Sequence, residues 1–344
     1  LFKDNAEAAV NLSLPGYTMD LTREIVGSSS YINQRLAPQG KPVKILLWSG
    51  DTAPNAEALE ITDKAGLLNM NGGDTSITRA NPSLTAVGAH GIYKNGHLQV
   101  YAPITNENIY TNLWRGPFYG FERVIESFEM TDRPRRIKPV DIYYHVYSAS
   151  KRAGLNALHK VYRWAMAQPL HPVYASDFIR KVHDFHSFAI ARDGQGWRLR
   201  GDGALRTVRL PATLGLPSLE TSRGVAGFRD GVEGRYVHLT GPAAWLQTAD
   251  ANGALPAGPQ RPYLRDANAR LESWKPQADG RGVDFTLHGF AAPLQFSLAG
   301  TEGCQVTTAS NRQLAPGKAS STATAPQFEI QDAAAQIRIR CAAR

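Results

Sequence analysis

Residues 139–151 read Pro-Val-Asp-Ile-Tyr-Tyr-His-Val-Tyr-Ser-Ala-Ser-Lys, and the rest of the chain is organised around them. Val140 to Val146 is rich in β-branched and aromatic side chains, which predicts a buried strand. His145 lies near the C-terminal end of that strand, and a helical pattern begins directly after Ser148. A strand that delivers a polar side chain at its C-terminal end and then turns into a helix is how α/β barrels present catalytic groups. The same His also reads as a hydrogen-bonded core residue, and both readings stand at this point.

Outward from this stretch the pattern is α/β on both sides. Asp20 is placed as an N-cap, with Leu21, Ile25, Ile32 and Leu36 forming one stripe of a helix that Pro38 and Gly40 stop. Lys44 to Trp48 reads as a short buried strand, Asn55 to Ala65 as a helix closed by Gly66, and Gly66 to Met70 as a second strand. Strand, helix, strand is the βαβ pattern. Asn95-Gly96 between β-prone runs predicts a hairpin. Residues 102–121, dense in Asn, Tyr, Trp and Gly, read as the wall of a binding site or an irregular connection. A brief helix follows over Phe121 to Met130, and the run Arg133, Arg135, Arg136 and Lys138 reads as a solvated loop.

Beyond the organising stretch, Leu155, Leu158, Tyr162 and Ala165 mark a helix ended by Pro169. A second helix over Ser176 to His186 is expected to bury Phe178, Val182 and Phe185. From about 187 the chain changes to short strands with turns at Asp193-Gly194, Gly201-Asp202-Gly203 and Asp230-Gly231. A linker is expected at 250–262, then further strands with a Ser/Thr/Ala-rich loop near 319–325. The fold class is therefore α/β plus all-β, with a β-sandwich appended to an α/β body. The expected divisions are 1–190, 191–262 and 263–344.

The totals bound the function. The chain has 344 residues, 42% apolar and 20% charged, an ordinary globular composition. No stretch approaches the ~20 apolar residues of a membrane span. The chain starts at Leu1 without a charged-then-apolar leader, which reads as a processed or truncated piece. Its net charge is +8, yet no basic stripe belongs to a recognisable nucleic-acid module. Cys304 and Cys341 read as a disulfide worth about 4 kcal/mol by loop entropy, favouring an oxidising compartment, although two free thiols would look the same in sequence.

Three strand ends carry polar clusters: Trp48 to Asp51, Asn71 to Asp74, and His145 with Tyr147 and Ser148. An imidazole and two carboxylates at one mouth would supply an acid/base pair and a group to orient it. Asp51 and Asp74 equally suit turn or cap chemistry. Tyr101, Tyr110, Trp114 and Tyr119 could stack on sugar rings or pack under the loop. His183 and His186 are a weak metal pair, because no third ligand is near in sequence.

Together, LLNMNGGDT (67–75), QVYAPITNENIYTNLWRGPFYGFERVIESFE (99–129) and RRIKPVDIYYHVYSASK (135–151) resemble the C-terminal deacetylase region of the Pel exopolysaccharide deacetylases (PelA-like), which are similar to a fungal deacetylase of galactosaminogalactan. The likeness runs from about residue 15 to 240. The resemblance implies a polysaccharide-deacetylase (β/α) barrel that removes N-acetyl groups from an amino-sugar polymer in the periplasm, beside export proteins that carry the polymer to a biofilm matrix. It implies a divalent metal, taken as zinc, held by an Asp and a His-x-x-x-His pair, with a neighbouring Asp as base. None of those motifs is in this chain. The ligands are therefore expected upstream, this chain is expected to be the latter part of the barrel, and alone it is expected to be inactive. The resemblance assigns the general acid to His145, and Asp74 is read as a partner to orient it. Trp48, Asp51, Asn71, Trp114, Tyr119 and Tyr147 are the expected substrate contacts.

Two other classes fit the residues. A glycoside hydrolase would use two of Asp51, Asp74 and Glu107 as its carboxylate pair. A polymer-binding or export-scaffold module would use the aromatic segment and the β-sandwich without catalysis.

Overall fold

Asp20 opens the first helix, its Oδ1 accepting from the Arg23 N–H at 3.0 Å. Helical backbone continues through a wide turn, Arg23–Gly27, into α1 (Ser28–Arg35). Of the expected apolar stripe Ile25 is buried, while Ile32 and Leu36 are exposed. The computed structural model describes residues 15–248, 261–317 and 325–342. The linker expected at 250–262 and the loop expected at 319–325 lie outside these residues, apart from their last one or two positions.

The βαβ unit forms as the spacing predicts. β1 (Ile45–Leu47) leads to α2 (Ala56–Lys64), and β2 (Leu68–Met70) pairs parallel with β1, Ile45 opposite Leu68. Asn55 caps α2 by accepting from the Ala58 N–H at 2.8 Å. Gly66 follows at φ +69, the left-handed turn that a side chain would resist. The hairpin β3 (Gly91–Lys94) and β4 (His97–Val100) turns at Asn95 and Gly96, both at positive φ as a primed turn requires.

Residues 101–119 are irregular apart from one turn of helix, α3 (Glu107–Tyr110), and a 3₁₀ turn, Gly120–Arg123, leads into α4 (Val124–Met130). α5 (Arg152–Met166) and α6 (Ala175–Ser187) follow. Two cores hold this region. Leu98 and Val100 pack with Ile179 and Val182 of α6 beside Ile45, Leu68 and Met70. Ile104, Tyr110, Phe121, Val124 and Phe128 pack with Ala157, Leu158 and Val161 of α5. In α6 the buried apolar pair is Ile179 and Val182, and Phe185, expected inside, is exposed.

The organising stretch departs from expectation. Residues 139–145 join no β-ladder among the described residues, and a 3₁₀ turn, Val146–Ser150, follows. Val140, Ile142 and Tyr144 do pack on the α4–α5 core, so the two-residue alternation is present. A strand also needs a neighbouring backbone. Here the His145 N–H donates instead to the Glu107 side chain. The described residues close no barrel; their parallel sheet is β1 and β2 alone. The basic run is exposed at Arg133 and Arg135 but not at Lys138, which is buried.

The chain divides into two compact units, the first comprising residues to 170 with 174–183, and the second 171–173 with 184–344. In the second, β5 (Ala189–Asp193), β6 (Gly196–Arg200) and β10 (Ala243–Gln247) form one antiparallel sheet. A second antiparallel sheet contains β7 (Thr207–Leu210), β8 (Val225–Gly231) and β9 (Gly234–Leu239). Leu199, Leu210, Val237, Leu239 and Leu246 form the core between these two sheets.

Beyond them a sandwich forms. One sheet holds β11 (Tyr263–Ala267), β14 (Leu294–Ala299) and β16 (Gln327–Ile330). The other holds β12 (Arg270–Pro276), β13 (Gly282–His288), β15 (Cys304–Thr308) and β17 (Ala334–Cys341). Leu264, Phe296, Leu298, Phe328 and Ile330 from the first meet Leu271, Phe285, Leu287, Ile337 and Ile339 from the second in one core. Cys304 and Cys341 are register partners on β15 and β17 and are disulfide-bonded.

Candidate functional site

Three segments of the first unit converge on His145. Asn106 caps α3, its Oδ1 accepting from the Asn108 N–H at 3.0 Å, which places Glu107 in the first helical turn. Glu107 is fully buried. Its Oε1 accepts from the His145 N–H at 3.1 Å and from Ser148 Oγ at 3.2 Å, and lies 2.9 Å from His145 Nδ1. Its Oε2 is buried without a hydrogen-bond partner among the described residues. An ionised Glu107 requires the proton on Nδ1, which fixes the tautomer and leaves Nε2 as the working nitrogen. Nε2 has no hydrogen-bond partner among the described residues, and the imidazole side chain is 41% exposed. The ring is thus held on one side and open on the other.

Aromatic rings flank it in a row. Tyr147 stacks on His145 at 4.9 Å and 5° between planes, and its hydroxyl donates to Asn108 Oδ1 at 2.9 Å. Trp114 lies 5.2 Å from Tyr147, Phe118 lies 5.0 Å from Trp114, and Tyr143 lies 6.2 Å from His145. Trp114 closes a run of three non-glycine residues in left-handed backbone, Asn112, Leu113 and Trp114 at φ +50, +53 and +60. Each costs on the order of 1 kcal/mol and persists only where the surroundings enforce it.

Asp141 belongs to this segment. Val140, Ile142 and Tyr144 face the core, so alternation puts Asp141 on the side of Tyr143 and His145. Among the described residues no hydrogen bond or ion pair holds its carboxyl, and desolvation pushes its pKa up to about 6. Burial likewise raises the Tyr143 and Tyr147 phenols.

The other expected site residues fall elsewhere. Asp74 does not meet His145; Glu107 takes that place. The strip 72–75 runs beside 102–105, with Ala102 N–H to Gly72 O at 3.1 Å and Thr105 N–H to Thr75 O at 2.9 Å. Asp74 is exposed on it, against Gly88, where a Cβ would fall 2.2 Å from Oδ1. Behind it, buried Lys138 donates to Ala89 O at 2.9 Å; desolvation lowers its pKa to about 8, while the charge of Asp74 holds it up.

Asp51 accepts from the Ala53 N–H at 3.1 Å, the local turn role. Asn71, at φ +110, donates to Trp48 O at 2.9 Å, and Trp48 Nε1 donates to Asn69 Oδ1 at 3.1 Å. Those side chains brace the strand ends. Tyr119 is exposed and outside the row of rings.

His183 and His186 flank Asp184, which is buried and structural, accepting from the Asp202 N–H at 2.6 Å and the Leu205 N–H at 2.8 Å. Among the described residues no three His, Cys, Asp or Glu side chains are disposed to hold a metal ion. No helix among them is long and apolar enough to cross a membrane. No family model, no curated protein and no solved structure matches the chain.

Proposed function

We propose that the first unit carries the acid/base and substrate-positioning part of a polysaccharide N-deacetylase acting on an acetylated amino-sugar polymer. The observation that carries this reading is the Glu107–His145 pair within a row of aromatic rings. Amide hydrolysis needs a proton on the leaving nitrogen. When the tetrahedral adduct collapses, the C–N bond breaks and its electron pair goes to nitrogen, which takes a proton from His145 Nε2. Glu107 offsets the imidazolium charge and keeps the ring oriented. Trp114 and Tyr147 offer flat apolar faces to pyranose rings.

In this reading the βαβ unit and the 139–151 segment belong to a deacetylase-type barrel. The resemblance of 67–75, 99–129 and 135–151 to the Pel deacetylases supports it, as do the parallel β1–β2 pair and the turn from extended backbone into helix after His145. Zinc would polarise the amide carbonyl in such an enzyme. The described residues do not fit a zinc site, so its ligands belong to residues outside them and no step above passes through the metal. The reading places the protein in the periplasm, in keeping with the disulfide, alongside exopolysaccharide export proteins.

The test is acetate release from an N-acetylgalactosamine oligomer with added zinc or cobalt, for this chain and for a longer chain extended N-terminally. Release by the longer chain from the N-acetylated oligomer, and none from an O-acetylated one, is expected. An inert longer chain would remove the catalytic reading.

A further inference from the structure

We infer that the sheet of β5, β6 and β10 carries a second saccharide site, for a chain of uronate sugars, independent of the deacetylase reading. Strand alternation gives this sheet two unlike faces. Leu199, Ala244 and Leu246 point into the core shared with β7–β9. The opposite face is set by register: Ala189, Arg200 and Ala243 lie abreast, then Ala191, Arg198 and Trp245, then Asp193, Gly196 and Gln247. That face is one wall of an open groove of about 950 Å³, which Arg223 and Thr221 also line. The groove has a floor of methyl groups, a single indole and three guanidinium groups.

The indole is set into the sheet. A Cβ on Gly196 would fall 2.7 Å from Trp245 Cε2, so the ring occupies the space a side chain would take, and only glycine permits that. Trp245 remains half-buried, with the rest of the ring facing the groove. Arg223 is tied to Trp245 by two backbone hydrogen bonds, 2.8 and 2.9 Å, which fixes its root beside the indole. Arg198 pairs with Asp193 at 2.6 Å. Arg200 and Arg223 are exposed and have no carboxylate partner among the described residues. Among the described residues the groove therefore carries three guanidinium groups against one carboxylate, Asp193.

This chemistry selects an acidic sugar. A pyranose ring presents C–H groups to an indole face and to alanine methyls, and its carboxylate accepts two parallel hydrogen bonds from a guanidinium. Three strands about 4.8 Å apart span roughly 10 Å, enough for about two rings. Single-stranded nucleic acid would want successive aromatic platforms, and the groove supplies one. A polymer carrying free amines would be repelled.

Calorimetric titration of the whole chain with trigalacturonate, its fully methyl-esterified form and a ten-nucleotide oligothymidylate decides the matter. Trigalacturonate is expected to bind at least 5-fold more tightly than the ester and more tightly than the oligothymidylate, with affinity falling as salt rises. Trp245→Ala is expected to weaken it at least 10-fold. Arg223→Gln, at an exposed position that leaves the ladder intact, is expected to weaken it about 5-fold without moving the melting temperature. No binding of trigalacturonate, equal binding of the ester, tighter binding of the oligothymidylate, or an unchanged Kd in Arg223→Gln would each overturn the site.

Discussion

Replacing Glu107 by Ala would strip the His145 N–H, the His145 ring N–H and Ser148 Oγ of one shared acceptor in a buried place. Unmet buried donors cost about 1–3 kcal/mol each, and some of these can turn to water. A net loss of about 2–4 kcal/mol is expected in the unfolding of the first unit, read by denaturant melts. A loss below 0.5 kcal/mol would show that the carboxylate is not the holder of the ring.

Asp141 adds a pH dependence of opposite sense to the usual carboxylate. Its native pKa is about 6 against an ordinary value of about 3.8. Between those values the native state keeps a proton that the unfolded state has lost, so stability falls as pH rises from about 4 to about 6. The full penalty, on the order of 2–3 kcal/mol, applies above that window. Asp141→Asn should thus match the parent at pH 3.5 and exceed it at pH 7.5 in thermal melts; a gap independent of pH would contradict the assignment. His145 was legible in the sequence through its place in an aromatic run. Its partner was not: Glu107 lies 38 residues away and was legible only as a candidate glycosidase carboxylate. Asp74 follows two glycines as Asp51 follows one, but Asp51 accepts a local turn hydrogen bond while Asp74 lies exposed against Gly88, away from the His145 ring that Glu107 holds.

Elements with local causes were legible. α2 carries its cap at Asn55 and its stop at Gly66, and the β3–β4 hairpin carries its turn in Asn95-Gly96, so each is written within a dozen residues. The segment 139–145 is the opposite case. Its β-branched and aromatic residues satisfy the packing that strands need, yet whether a ladder forms depends on a neighbour distant in sequence. The left-handed run Asn112–Leu113–Trp114 has no glycine to announce it. Leu113 is exposed, so Leu113→Gly removes strain without emptying a core. It should stabilise the first unit by about 0.5–1 kcal/mol and weaken oligosaccharide binding by loosening Trp114. A destabilised variant would mean the loop is held by Leu113 itself.

For the whole molecule, the sandwich was legible because strand alternation, turn residues and two cysteines agree over about 80 residues. The barrel expected from the resemblance is not closed among the described residues, because closure depends on all strands together and a local β/α pattern specifies only the β1–β2 pair. The disulfide closes a separation of 37 residues in the second unit. Cys304→Ser with Cys341→Ser should lower that unit's stability by about 4 kcal/mol while hydrogen exchange around α3 and α5 stays unchanged. Spread of the loss into the first unit would show the two to be coupled.

The role of the Glu107–His145 pair is decided by acetate release from the N-acetylated oligomer by the longer, zinc-supplied chain, in parent, His145→Ala and Glu107→Gln forms of matched fold. The expected result is that kcat falls about 10²- to 10⁴-fold in His145→Ala, and at least 10-fold in Glu107→Gln, with KM held within about 3-fold. A His145→Ala protein within 2-fold of the parent would contradict it.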